Sequence, residues 1–86
     1  MKGLFNKVKN RYTRQRFVVS TIRKGEDVFE TAVFTATLLY FPKSLSKPDL
    51  TVKTQTRDEA WDMHYEITSR LTQEYPARLF QEFTHQ

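Results

Sequence analysis

Residues 3–12 place Leu4, Phe5, Val8 and Tyr12 at helical spacing, with Lys2, Lys7, Lys9 and Arg11 around the rest of the circumference, and this spacing predicts a short N-terminal helix. A helix under about 12 residues is marginal alone in water and must dock on something. Residues 16–23 then concentrate β-branched and aromatic side chains (Phe17, Val18, Val19, Thr21, Ile22) and predict a strand. Lys24-Gly25-Glu26-Asp27 follows as a turn, with Gly25 expected to supply the positive φ of a tight hairpin. Residues 28–41 alternate. Val28, Ala32, Phe34, Ala36, Leu38 and Tyr40 form one row, broken only by Glu30, and Phe29, Thr31, Val33, Thr35, Thr37, Leu39 and Phe41 form the other. The first row is the expected core face, and the threonine-rich second row the one that meets water or a partner.

Pro42 ends that strand, residues 42–49 read as a loop, and residues 50–55 as a third, shorter strand. Thr56-Arg57-Asp58-Glu59 is a capping box: the threonine hydroxyl takes one free amide while the carboxylate three residues on returns to the cap. The helix it opens extends to about residue 74, with Ala60, Met63, His64, Ile67 and Leu71 as its buried stripe and Trp61 at the stripe's edge. Tyr75-Pro76 breaks it, and Pro76 can open a final turn or two carrying Leu79, Phe80 and Phe83. The expected fold is α+β in the order α-β-β-β-α, a three-stranded antiparallel sheet packed on one long C-terminal helix with a short helical tail. Residues 1–86 form one domain in this reading: a basic N-terminal helix or arm over 1–14, the β-β-β-α core over 15–75 and the tail over 76–86.

With 86 residues and 38% hydrophobic content the core is modest, and a thin core gains from self-association. The absence of cysteine excludes disulfides, thiolate metal sites and cysteine nucleophiles, and suits a reducing, cytoplasmic compartment. The longest apolar run, residues 38–41, is far short of the roughly 18 residues of a membrane helix. No secretory signal is evident, although the basic, acid-free start shares its composition with organellar transit peptides.

Charge adds the main functional signal. Residues 1–24 hold Lys2, Lys7, Lys9, Arg11, Arg14, Arg16, Arg23 and Lys24 without one Asp or Glu, whereas the remaining six Lys/Arg face all ten Asp/Glu. A basic segment attracts phosphate, anionic lipid or an acidic protein. These eight residues, joined by Lys43 and Lys47 of the following loop, are the candidate nucleic-acid contacts, with Phe5, Tyr12 and Phe17 interleaved as stacking rings. The topology over residues 3–74 resembles the double-stranded-RNA-binding domain. That resemblance implies RNA contacts at the start of the last helix, where Arg57 stands beside Asp58 and Glu59 and the two carboxylates repel phosphate. The Thr56 to Ala60 opening also looks like the arm-binding domains of phage integrases, which implies a sheet that reads DNA.

Asp58, Asp62 and Glu66 form an acidic stripe along the outside of the long helix. A solvated face or a docking point for the basic segment is the expectation, and with Phe80 and Phe83 these residues are the candidate protein-interaction positions. His64 on the buried stripe and His85 in the tail make no metal pair, and His64 is expected as a core histidine with one hydrogen bond. No Gly-rich phosphate loop, HExxH or nucleophile with an identifiable base occurs. The expectation is therefore a small non-enzymatic binding protein without a cofactor, contacting nucleic-acid backbone. Its rival is a protein-interaction module or inhibitor of the size phages and mobile elements encode, as a monomer or a homodimer; peripheral membrane binding ranks third.

Overall fold

The computed structural model describes residues 3–84. Four strands, β1 (Leu4–Lys9), β2 (Arg16–Gly25), β3 (Val28–Ala36) and β4 (Leu50–Thr54), precede two helices, α1 (Arg57–Gln73) and α2 (Pro76–Thr84). The strands form one antiparallel sheet in the order β1-β2-β3-β4, and the helices cover one face of it. The α+β class, the antiparallel sheet and the long packed helix agree with the sequence reading.

The N-terminal element does not. The helix expected over residues 3–12 is strand β1, so the sheet has four strands rather than three and the order is β-β-β-β-α-α. In β1 the inward row is Leu4, Asn6 and Val8, opposite Thr21, Val19 and Phe17 of β2. Two asparagines therefore occupy inward-facing positions at Asn6 and just beyond the strand at Asn10, and both are satisfied by hydrogen bonds to α1.

Directly opposed residues share a face. The register sets Phe17 against Thr35, Val19 against Val33 and Thr21 against Thr31, and Val33 against Leu50. Val8, Phe17, Val19, Val33 and Leu50 form one cluster with Ile67 and Leu71 of α1 and Leu79 of α2. Ile67, Leu71 and Leu79 are fully buried, each worth about 1.5–3 kcal/mol of apolar transfer, and Leu71→Ala costs about 2–5 kcal/mol with its cavity. The face of β3 that meets the helix is thus Phe29, Thr31, Val33 and Thr35, the reverse of the expectation. Thr31 is buried because its hydroxyl bonds Thr21 at 2.7 Å. Thr35 is held by the Asp49 carboxylate, which accepts from its backbone N–H at 2.7 Å and from its hydroxyl.

The hairpin also differs in detail. Gly25 has no positive φ and ends β2 after a register shift from Arg23; Asp27, at φ 55°, takes the left-handed position instead. Aspartate tolerates that conformation better than most side chains.

Helix α1 starts as read. Thr56 Oγ1 accepts from the Glu59 amide at 3.1 Å and Glu59 Oε1 accepts from the Thr56 amide at 3.1 Å, a cap worth about 0.5–2 kcal/mol. Ala60, His64, Ile67 and Leu71 are buried, and Met63 packs on the cluster's edge. Trp61 is half-buried, edge-on to Phe29 with ring centres 6.3 Å apart and the Arg57 guanidinium 5.0 Å over its ring. Helix α2 opens on Pro76, whose missing amide hydrogen costs nothing in a first turn. Arg70 clamps it, donating from Nε and Nη2 to Glu74 and from Nη1 and Nη2 to Glu82 at 2.7–3.1 Å.

Candidate nucleic-acid interface

One face of the sheet carries the helices and the other does not. On the open face the register aligns Lys9 with Arg16 and Ala36, Lys7 with Val18 and Phe34, and Phe5 with Ser20, Ala32 and Thr51. The residues that looked like a helix surface are therefore alternate positions of a strand, which is why Phe5, Lys7 and Lys9 project together.

The β3–β4 connection brings a further ring to this face. Thr37 donates its amide to the Phe41 carbonyl at 2.9 Å and Tyr40 donates to the Thr37 carbonyl at 2.9 Å, a tight turn with Tyr40 at φ 63°. That left-handed residue sends the Tyr40 ring back over the sheet, with Lys7 Nζ 5.9 Å and the Arg16 guanidinium 5.7 Å from its centroid. Left-handed backbone at a bulky side chain stores about 1–3 kcal/mol, partly offset by the two cation–ring contacts at about 0.5–1 kcal/mol each. Leu38, Leu39 and Phe41 of the same turn stand 75%, 74% and 64% exposed, with Leu45 at 76%.

The charge at this end is concentrated. A groove is lined by Arg14, Arg16, Thr35, Thr37, Leu38 and Lys43, and Lys9 lies one strand from Arg16. Repulsion from Arg14, with smaller parts from burial and Arg16, holds the Lys9 ammonium below the usual lysine range. Arg14 is at φ 65° in the β1–β2 turn, a third non-glycine left-handed residue. Among the described residues none of Lys7, Lys9, Arg14, Arg16 and Lys43 makes an ion pair.

The other predicted contacts lie apart. Lys24 pairs with Glu30 at 3.8 Å and, at about 3.3 Å per residue, stands roughly 26 Å along the strand from Arg16. Arg23 donates from Nε to the Gly25 carbonyl at 3.0 Å at that same far hairpin. The Arg11 amide donates to the Thr72 carbonyl at 2.9 Å, which sets Arg11 at the negative end of α1 rather than on the open face. Its guanidinium is 5.3 Å over the Tyr12 ring, and Tyr12 stacks on Tyr75 at 4.7 Å. Lys47 is exposed on the β3–β4 connection, and Lys2 lies outside the described residues. Of the interleaved rings, Phe17 is buried in the core and Tyr12 is occupied by Tyr75, so only Phe5 reaches solvent on the basic face. Tyr40 was missed as a site residue because nothing in its spacing signals the turn that folds it back.

The protein-interaction candidates divide similarly. Asp58, Asp62 and Glu66 are exposed along α1, but the basic segment does not fold onto them, because β1 is bound into the sheet; Glu66 meets Arg70 at 3.7 Å instead. Phe80 and Phe83 pack on the core, Phe80 edge-on to Phe17 at 5.9 Å and Phe83 under Arg70 at 5.9 Å.

His64 is fully buried between sheet and helix, with two hydrogen bonds rather than one. Its Nδ1 is 2.8 Å from Thr21 Oγ1 and its Nε2 2.7 Å from Asn6 Oδ1. Asn6 Oδ1 can only accept, so Nε2 carries the proton, Nδ1 accepts from Thr21, and Thr21 accepts from Thr31. Burial holds its pKa below the ordinary histidine value. His85 lies outside the described residues; among the described residues no group of three or more side chains that could hold a metal ion occurs. Among them no helix is long and apolar enough to cross a membrane. Comparison with protein-family models, curated proteins and solved structures gives no match.

Proposed function

We propose that this chain is a non-enzymatic protein that grips nucleic-acid backbone with Lys7, Lys9, Arg14, Arg16 and Lys43. The supporting observation is their convergence: β1, the β1–β2 turn, β2 and the β3–β4 connection each bring cations to one end of the sheet, where among the described residues no carboxylate pairs with them. Like charges this close repel, Arg14 acting most on Lys9, and a polyanion relieves that repulsion while releasing its own counterions. The test is fluorescence anisotropy of a labelled mixed-sequence oligonucleotide against Lys9→Glu/Arg14→Glu and Lys24→Glu. The first variant should lose binding and the second, at the far hairpin, should keep most of it. Equal loss in both, or no binding by the unaltered chain at low salt, rejects the proposal.

A second reading, a protein-interaction module, is favoured by Leu38, Leu39, Phe41 and Leu45, all exposed on one connection. Clustered apolar exposure of this kind marks contact surfaces. Sedimentation of Leu38→Ser/Leu39→Ser beside the unaltered chain tests its homodimeric form: a shift to a smaller species supports it, and identical profiles remove it.

A further inference from the structure

Resting on the backbone-binding reading above, we infer that the open face takes single-stranded nucleic acid, with Phe5 as the ring on which a base stacks and Lys7 and Arg16 as phosphate contacts set in place by Tyr40. Phe5 is 58% exposed although it lies within a sheet. Across the strands its neighbours on the same face are Ser20 and Ala32, two small side chains, and then Thr51. The ring therefore stands at the side of a shallow floor that a planar group can cover.

Lys7 is two residues along the same strand, about 7 Å from Phe5 on the same face. Its ammonium lies 5.9 Å from the Tyr40 centroid, and the Arg16 guanidinium lies 5.7 Å from the same ring. The face thus presents an exposed ring, then two cations gathered at one aromatic ring. A nucleotide chain offers the same alternation of π-surface and phosphate.

A duplex does not: its base faces are stacked on one another, and only base edges and backbone reach a protein. Duplex binding would use the cations and leave Phe5 idle. A bulky left-handed residue at Tyr40 fits the same reading, since strain of this kind persists where a side chain is held for a function.

The test compares a short labelled oligothymidine with its matching duplex, using the unaltered chain, Phe5→Ala and Phe5→Tyr. The single strand should bind tighter than the duplex. Phe5→Ala should weaken single-strand binding by about 5- to 150-fold, the range of one lost base stack. Phe5→Tyr should restore it, and duplex binding should not respond to either change. Thermal unfolding of Phe5→Ala checks that the exposed substitution leaves the fold intact. Duplex binding as tight as single-strand binding, or indifference to Phe5→Ala, overturns this inference and leaves the backbone-binding reading standing. Failure of both ligands at low salt overturns that reading itself. Burial of Phe5 in a homodimer, seen as protection from added oligothymidine and a doubled mass, also overturns the inference.

Discussion

The side-chain amide of Asn10 donates to the carbonyl of Leu71, 61 residues further along the chain, and to that of Glu74. Its Oδ1 accepts from the amides of Tyr12 and Thr13, both at 2.9 Å. One buried side chain thereby shapes the β1–β2 turn, which carries Arg14, and satisfies carbonyls at the end of α1 that have no partner within the helix. Asn10→Ala should lower stability by about 1–3 kcal/mol through the stranded carbonyls, read as a lower urea midpoint. Asn10→Asp should be worse, because a carboxylate would face those same carbonyls. A neutral Asn10→Asp would show that the clasp is absent.

His64 makes stability depend on pH in a defined window. Its folded pKa lies below the unfolded value near 6.5, so between the two the unfolded chain binds more protons and stability rises with pH. The stabilisation is present above about 6.5 and is lost as pH falls below it. Protonation also forces a donor onto Nδ1 and reverses the hydroxyls of Thr21 and Thr31. Urea midpoints should fall between about pH 7.5 and 5.5, and His64→Gln, though less stable throughout, should flatten that slope. An unchanged slope in His64→Gln would assign the effect elsewhere.

Much of α1 was legible because its signals are local: a capping box, a periodic stripe and a proline stop. The missed features share a physical cause. Asn6 and Asn10 add nothing to an apolar pattern, and Thr31 and Thr35 were expected on the face that meets water or a partner, yet each is held by a partner at least ten residues away: His64, the end of α1, Thr21 or Asp49. Buried polar groups that satisfy one another look hydrophilic to any count of apolar positions. With its asparagines discounted, the segment 3–12 kept only Leu4, Phe5, Val8 and Tyr12, which mimic a helix. For the candidate site, Lys7, Lys9, Arg14, Arg16 and Lys43 were named from charge alone, but which of ten basic residues converge is decided by strand register.

Gly3 separates strand from helix directly. A Cβ there would collide with the backbone carbonyl oxygen of Thr21 and crowd Ile22 Cγ2, so Gly3→Ala should loosen the start of β1 and speed hydrogen exchange at its first amides. In a helix the same change would be neutral or stabilising.

Arg70 should govern the docking of α2. Its guanidinium, raised further above the usual arginine range first by the hydrogen bonds to Glu82 and then by those to Glu74, stays charged at all working pH. It holds both carboxylates below the ordinary range, so their share of stability is present above the unfolded value of about 4.5 and is lost as pH falls through the folded values. Arg70→Met should raise amide exchange across residues 76–84, and Arg70→Lys should restore little, because an ammonium cannot fork between two carboxylates. Unchanged exchange in Arg70→Met would mean that Leu79 and Phe80 anchor the helix unaided.

The salt dependence of oligonucleotide binding bears most directly on the five converging cations. If four to five of them neutralise phosphates, raising salt from about 50 to about 200 mM should weaken binding about 50- to 130-fold for a single strand and on the order of 10²- to 10³-fold for a duplex. Affinity that barely moves over that range, or no measurable binding at the lower salt, would contradict a backbone grip by Lys7, Lys9, Arg14, Arg16 and Lys43.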